Sequence, residues 1–169
     1  MNDSEKAQAL DSAAERAARY EKTCTGCAQS VVAGVLDALG LASEDLFKAA
    51  SGLADGIGLT GEGSCGALTG GAMMIGFVCG RERKDHQDVL KPMKSYLLCR
   101  ELANDFKEQY GSVRCHDLQI KLMGRTFNML DPKDLKAAAE SGMMEHCSKV
   151  VGRAARKTAE LILRDAPIK

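Results

Sequence analysis

The sequence has no tryptophan, only three tyrosines and four phenylalanines, and no net charge. A core short of aromatic rings must be filled by small and aliphatic side chains, and the abundance of Ala, Leu, Lys and Glu favours helices packed in that way. With 23 basic residues against 23 acidic ones, the basic footprint of a nucleic-acid-binding protein is absent. The Lys and Arg residues between Arg153 and Arg164 read as a solvated helix face. Long apolar runs are missing as well. The longest, around Ala72 to Cys79, is too short and too broken by glycine to span a bilayer, and the opening Met1-Asn2-Asp3-Ser4-Glu5-Lys6 has no apolar segment of signal-peptide length. A cytoplasmic protein without membrane insertion is the expectation. There is no internal repeat, no low-complexity tract and no alternating β pattern longer than a few residues.

What the chain does have is seven cysteines and 17 glycines in 169 residues. A chain of this length forms one domain and buries roughly 70% of its unfolded surface, so it needs no cross-links to stay folded. An odd number of cysteines in a reducing compartment points away from a disulfide framework and towards metal binding or redox chemistry.

Periodicity and end signals predict an all-α fold, a bundle of about four main helices with short helices and a glycine-rich loop before Cys65. Ser4 to Tyr20 reads as a weakly hydrophobic amphipathic helix capped by Ser4. It is set apart as an extension, residues 1–21, from a four-cysteine helical redox domain, residues 22–165. The next helix is expected from about Cys24 to Leu39, stopped by Gly40, with Cys27, Val31, Gly34, Val35 and Ala38 on one stripe and Cys24 one turn before Cys27. Ser43 caps a short helix to Ser51. Five glycines between Gly52 and Gly63 mark a loop that approaches something closely. Further helices are predicted over 65–79, 89–110, 112–122, 132–141 and 143–163. The stripe of the 89–110 helix is read as Val89, Met93, Tyr96, Cys99, Ala103, Phe106 and Tyr110. A bundle of the helices starting near 24, 65, 89 and 143 brings one set of helix starts to the same end.

Cys27, Cys65, Cys115 and Cys147 each fall within about a turn of a predicted helix start. The thiolate is the nucleophile and the metal ligand, and a free cysteine has a pKa near ~8.5. Unpaired N–H groups and the positive end of the helix dipole stabilise it there, and the same donors suit the negative charge of an iron–sulfur centre held by four thiolates. Cys79 lies fourteen residues beyond Cys65, roughly 21 Å along a helix, so both cannot serve one small centre. Cys79 and Cys99 read as core. Cys24 is left open between spectator and participant.

Four segments carry a resemblance. They are Cys27-Ala28-Gln29-Ser30-Val31-Val32, then Gly61-Glu62 ahead of Cys65-Gly66-Ala67-Leu68-Thr69-Gly70-Gly71-Ala72, then Tyr110-Gly111-Ser112 before Cys115, and Cys147 in a late helix. Together they resemble the C_GCAxxG_C_C family of redox-active proteins, and the resemblance extends to the C-terminal domain of split-Soret cytochrome c. It covers about residues 22 to 163. It implies a helical fold and a four-cysteine site on Cys27, Cys65, Cys115 and Cys147, with an iron–sulfur cluster, [2Fe–2S] favoured, as cofactor.

Three functions are carried forward. The first is an iron–sulfur redox or electron-transfer protein working with a redox partner protein. The second is a thiol–disulfide or persulfide oxidoreductase with Cys24, Cys27 and Cys65 as its catalytic thiols. The third is a structural zinc module. A packed face of small residues permits a homodimer. Gly61-x-Gly63-x-x-Gly66 matches a dinucleotide fingerprint but lacks the preceding strand and the βαβ frame. Cys24-Thr25-Gly26-Cys27 lacks the following His of a haem-attachment site. His116 and His146 adjoin site cysteines but point about 100° away on a helix, and His86 sits in a charged turn. Glu62 reads as a charged loop residue, and Met73, Met74, Met143 and Met144 as core.

Overall fold

A computed structural model describes residues 1–165. They form eight α-helices: α1 (Asp3–Cys24), α2 (Cys27–Leu39), α3 (Glu44–Ala49), α4 (Gly66–Cys79), α5 (Met93–Tyr110), α6 (Cys115–Met123), α7 (Pro132–Glu140) and α8 (Met143–Asp165). Short 3-10 turns follow α3 and precede α5. The described residues contain no strand, only an isolated antiparallel bridge between Ser64 and Arg114. The fold is all-α, and none of these helices is long and apolar enough to cross a membrane.

α1 is capped by Asn2 rather than Ser4. The Asn2 side chain accepts from the Glu5 N–H at 2.9 Å while the Glu5 carboxylate accepts from the Asn2 N–H at 2.8 Å, a reciprocal capping box. The helix runs on through the boundary drawn at residue 21 and ends at Cys24. Thr25 and Gly26 then take left-handed backbone, with φ of 60° and 86°, and turn the chain into α2. Cys24 is therefore the last residue of one helix and not the first of the next. The one-turn spacing expected between Cys24 and Cys27 does not exist.

α1 is not an appendage. Ala13 and Ala17 are fully buried, and the helix lies against both α2 and α8. Contacts fix its direction against each. Tyr20 donates to Asp37 and Ser30 to Glu21 across α1–α2, while Lys22 pairs with Glu145 and Arg156 with Asp11 across α1–α8. The residue numbers run in opposite senses, so α1 is antiparallel to both neighbours. The bundle of four long helices expected from residue 24 onwards is thus revised: α1, α2, α4 and α8 form the centre, and α5 packs on α4 from outside.

Small residues set these crossings. A Cβ on Gly34 would stand 2.6 Å from the Ala17 Cβ, and one on Gly70 would stand 2.5 Å from the Ala28 carbonyl oxygen. Both α1–α2 and α2–α4 are near backbone contact, which small residues at the crossings allow in a core with few aromatic rings. Val31, Val35, Met74, Ile75, Leu161 and Ile162 fill the space between, each worth about 1.5–3 kcal/mol when fully buried. On α5 the buried stripe is Ser95, Leu98, Leu102 and Phe106, and Val89, Met93 and Tyr96 are exposed. Of the expected stripe, Phe106 is buried and Cys99, Ala103 and Tyr110 pack against the core, whereas Val89 precedes the helix and Leu98 and Leu102 take the deepest places because α4 covers that side.

Close packing at Gly34 makes a direct test. Gly34→Ala is expected to destabilise by about 1–3 kcal/mol through overpacking, lowering Tm by about 2–4 °C per kcal/mol. Gly76→Ala, at a helix position where a Cβ meets nothing within 4 Å, should instead stabilise by about 0.4–1 kcal/mol. Urea denaturation of both variants checks the contrast, and equal responses would contradict the packing described.

Candidate functional site

Two antiparallel pairings bring the C-terminal end of α1 together with the starts of α2 and α8. Cys27 is the first residue of α2, and Cys147 lies one turn into α8. Cys65 arrives at the same place because α4 crosses α2 at its own start. A Cβ on Gly66 would collide with the Cys27 sulfur, so the glycine after Cys65 lets the two cysteine-bearing helix starts touch.

The loop before Cys65 is bound to the segment before α6. The Cys65 N–H donates to Val113 O at 2.8 Å, the Cys115 N–H to Gly63 O at 3.0 Å, and the His116 N–H to Gly61 O at 2.9 Å. Outside this ladder, the Arg114 guanidinium pairs with the Glu62 carboxylate. The His116 ring lies on Gly61, 3.5 Å from Glu62. Cys65 and Cys115 are thereby delivered together. The loop itself is strained. Asp55, Gly56, Ile57, Gly58 and Leu59 are successive left-handed residues with φ of 47°, 69°, 72°, 60° and 64°, and each non-glycine among them costs roughly 1–2 kcal/mol. Hydrogen bonds from Leu59 to Ala54, Gly61 to Asp55 and Gly63 to Gly56 hold it closed.

The result is a cavity of about 320 Å³ lined by Cys27, Cys65, Cys115 and Cys147, all four of the predicted site cysteines. This is far more than the ~10–15 Å³ that admits one water. Leu118, Leu122, Met123, Met129, Leu135, Met143 and Met144 supply much of the remaining wall, and among the described residues no Lys, Arg or His contributes to it. Cys24 is exposed and outside the lining. Cys79, Cys99, His116 and His146 are half-buried and also lie outside the lining. Cys99 points its thiol at the Ala72 carbonyl, 3.8 Å away. The sulfurs surround the space without converging: among the described residues no group of three or more His, Cys, Asp or Glu is close enough to hold one metal ion.

The four thiols differ in acidity. Cys65 is held below the ordinary thiol range. The adjoining Cys115 thiol stabilises its thiolate first, burial opposes this, and the N–H groups of Ala67 and Leu68 at the start of α4 add to it. The pattern reverses at the others. Cys115 is pushed up by its hydrogen bond with Cys65 and then by burial, and Cys27 by burial and then by the Cys65 charge. Burial and the same charge push Cys147 up to about 12.

Three polar residues of the site escaped the sequence reading. Glu21 is 6% exposed, lines the cavity and accepts from Ser30 Oγ at 3.1 Å. Its signal was there to find, since it continues the four-residue spacing of Ala9, Ala13 and Ala17. Gln119, buried one turn after Cys115, donates to Asp55 Oδ1 at 2.8 Å and takes the Phe127 N–H on its own oxygen at 3.1 Å. Its i, i+4 spacing from Cys115 was the available clue. Asp55 accepts from the Cys115 thiol at 2.9 Å, and no local pattern announces that contact.

Residues 25–161 match the sequence model of the family described as "Putative redox-active protein (C_GCAxxG_C_C)". The match covers well over half of the chain, and the chain belongs to that family. No curated protein and no solved structure matches it.

Burial raises the pKa of Glu21 above its value of 4.5 in an unfolded chain, more than the Ser30 hydrogen bond lowers it. The folded state thus binds a proton that the unfolded state has released. The stability linked to this group is complete below 4.5 and is lost as pH rises through the folded value. Glu21→Gln keeps an acceptor for Ser30 and removes the charge. The metal-free variant should melt with the wild type at about pH 4 and above it at about pH 8, by roughly 2–4 °C for each kcal/mol recovered. Parallel melting curves at both values would refute the assignment.

Proposed function

We propose that this member of the C_GCAxxG_C_C family is a redox protein that holds an iron–sulfur cluster, of the [2Fe–2S] kind, on Cys27, Cys65, Cys115 and Cys147. One observation carries the reading: four thiols from four separate segments line a single, mostly apolar cavity. Four soft sulfur donors are the usual ligand set of such clusters. Their spread favours a centre with several metal atoms over a structural zinc, which draws all its ligands onto one ion.

When bound, the cluster supplies one-electron transfer. The chain's own groups prepare the place. The Ala67 and Leu68 N–H groups and the α4 N-terminus favour negative charge at the Cys65 sulfur. The leucines and methionines of the wall exclude water and keep the local dielectric low. Burial favours the neutral form of Glu21, which limits the negative charge beside the thiols. The reading requires a redox partner protein to deliver or remove the electron. A thiol mechanism based on Cys24 and Cys27 has less support, because Cys24 is exposed at the end of α1 and away from the cavity.

Oxygen-free purification, or reconstitution with iron and sulfide, should yield a brown protein with stoichiometric iron and acid-labile sulfide. Serine at 27, 65, 115 or 147 should remove most of the iron, while serine at 79 or 99 leaves it in place. Colourless, iron-free protein after reconstitution would sink the proposal. A Cys65–Cys115 disulfide found in that material by mass spectrometry would transfer the redox role to the thiols themselves.

A further inference from the structure

We infer that Asp55 is a fifth protein donor at the cysteine centre, offering its free carboxylate oxygen to the iron that Cys115 serves. The inference rests on the iron–sulfur reading above. One oxygen of Asp55 is committed: Oδ1 accepts from Cys115 Sγ at 2.9 Å and from Gln119 Nε2 at 2.8 Å. The other, Oδ2, is buried and has no hydrogen-bond partner among the described residues. A buried carboxylate oxygen is stable only when paired with a donor or a cation. Among the described residues no Lys, Arg or His lies in the wall of the cavity that Asp55 lines, so these residues supply no cation for it. A metal ion gathered by the neighbouring thiols is the partner the site lacks, and carboxylate oxygen is an ordinary ligand of iron.

The backbone is built to hold this residue there. Asp55 is a non-glycine residue at φ 47°, first in the run of five left-handed residues. Its carbonyl accepts from the Gly61 N–H at 2.8 Å, while its own N–H faces the Cys27 sulfur. One strained residue thus stands beside two of the four thiols, with its N–H towards Cys27 and its carboxylate hydrogen-bonded to Cys115. Glu21, the other carboxylate of the cavity, differs: burial favours its neutral form, and Ser30 supplies a donor. Ligation by Asp55 changes no oxidation state. Cys115 releases its thiol proton to solvent as its sulfur binds, and Asp55 binds the same iron as a carboxylate, so a single iron has mixed sulfur and oxygen ligation.

The test uses the full chain reconstituted without oxygen, with sulfide and isotopically enriched iron, as wild type and as Asp55→Asn. Asparagine tolerates left-handed backbone and keeps an oxygen for Cys115 and Gln119, but presents an amide where Oδ2 stood. Mössbauer spectra of the wild type should resolve one iron population with a higher isomer shift than the all-sulfur iron. That population should be lost in Asp55→Asn, with a shift in reduction potential. A wild type whose iron is entirely sulfur-ligated overturns the inference while leaving the cluster reading intact, whether or not the variant folds. A distinct population that persists unchanged in Asp55→Asn also overturns it. A wild type that takes up neither iron nor sulfide brings down the cluster reading itself, and this inference with it.

Discussion

The short backbone ladder between residues 61–65 and 113–116 is the constraint on which the site depends. Three main-chain hydrogen bonds join a glycine-rich loop to the entry of α6, and they bring Cys115 to Cys65 across fifty residues of sequence. Beyond the ladder, α6 is anchored by Leu118 in the core and by Gln119, which bonds to Asp55 and Phe127 at the edge of the cavity. The left-handed run at 55–59 belongs to the same device. Its strain is sustained by hydrogen bonds that close the loop on itself, and in exchange it sets a carboxylate against a buried thiol.

Electrostatics follow from where these elements meet. Helix starts bring N–H donors and positive dipole ends to the cavity, yet the lining carries two carboxylates and no basic side chain. Donors favour the thiolate at Cys65 alone, and burial together with the Cys65 charge pushes Cys27 and Cys147 towards the protonated form. The thiols are thus unequal in acidity because donors reach one of them while burial and its charge act on the others.

Some of this was legible before any coordinates. Helix class, most of the helix ends and the placing of four cysteines within about a turn of a helix start followed from spacing and end signals, because a helix start is a local event encoded within a few residues. Local information failed where two outcomes had similar local energies. On α5 the apolar residues span adjoining faces, and the neighbour α4 decided that Leu98 and Leu102 sit deepest while Met93 and Tyr96 stay exposed. At Cys24 the helical pattern ran without interruption towards Leu39, and only the left-handed pair Thr25–Gly26 cut it into two antiparallel helices.

The sequence by itself determined that the chain is helical, that its core is built from small and aliphatic residues, and that a glycine-framed cysteine opens α4; each is a property of contiguous residues and their period. Only the tertiary structure decided that α1 belongs to the core, that Glu21, Asp55 and Gln119 join the thiols, and that Cys24 stays outside. Those outcomes turn on which surfaces bury one another over long separations in the chain, and packing between distant segments leaves no trace in local spacing.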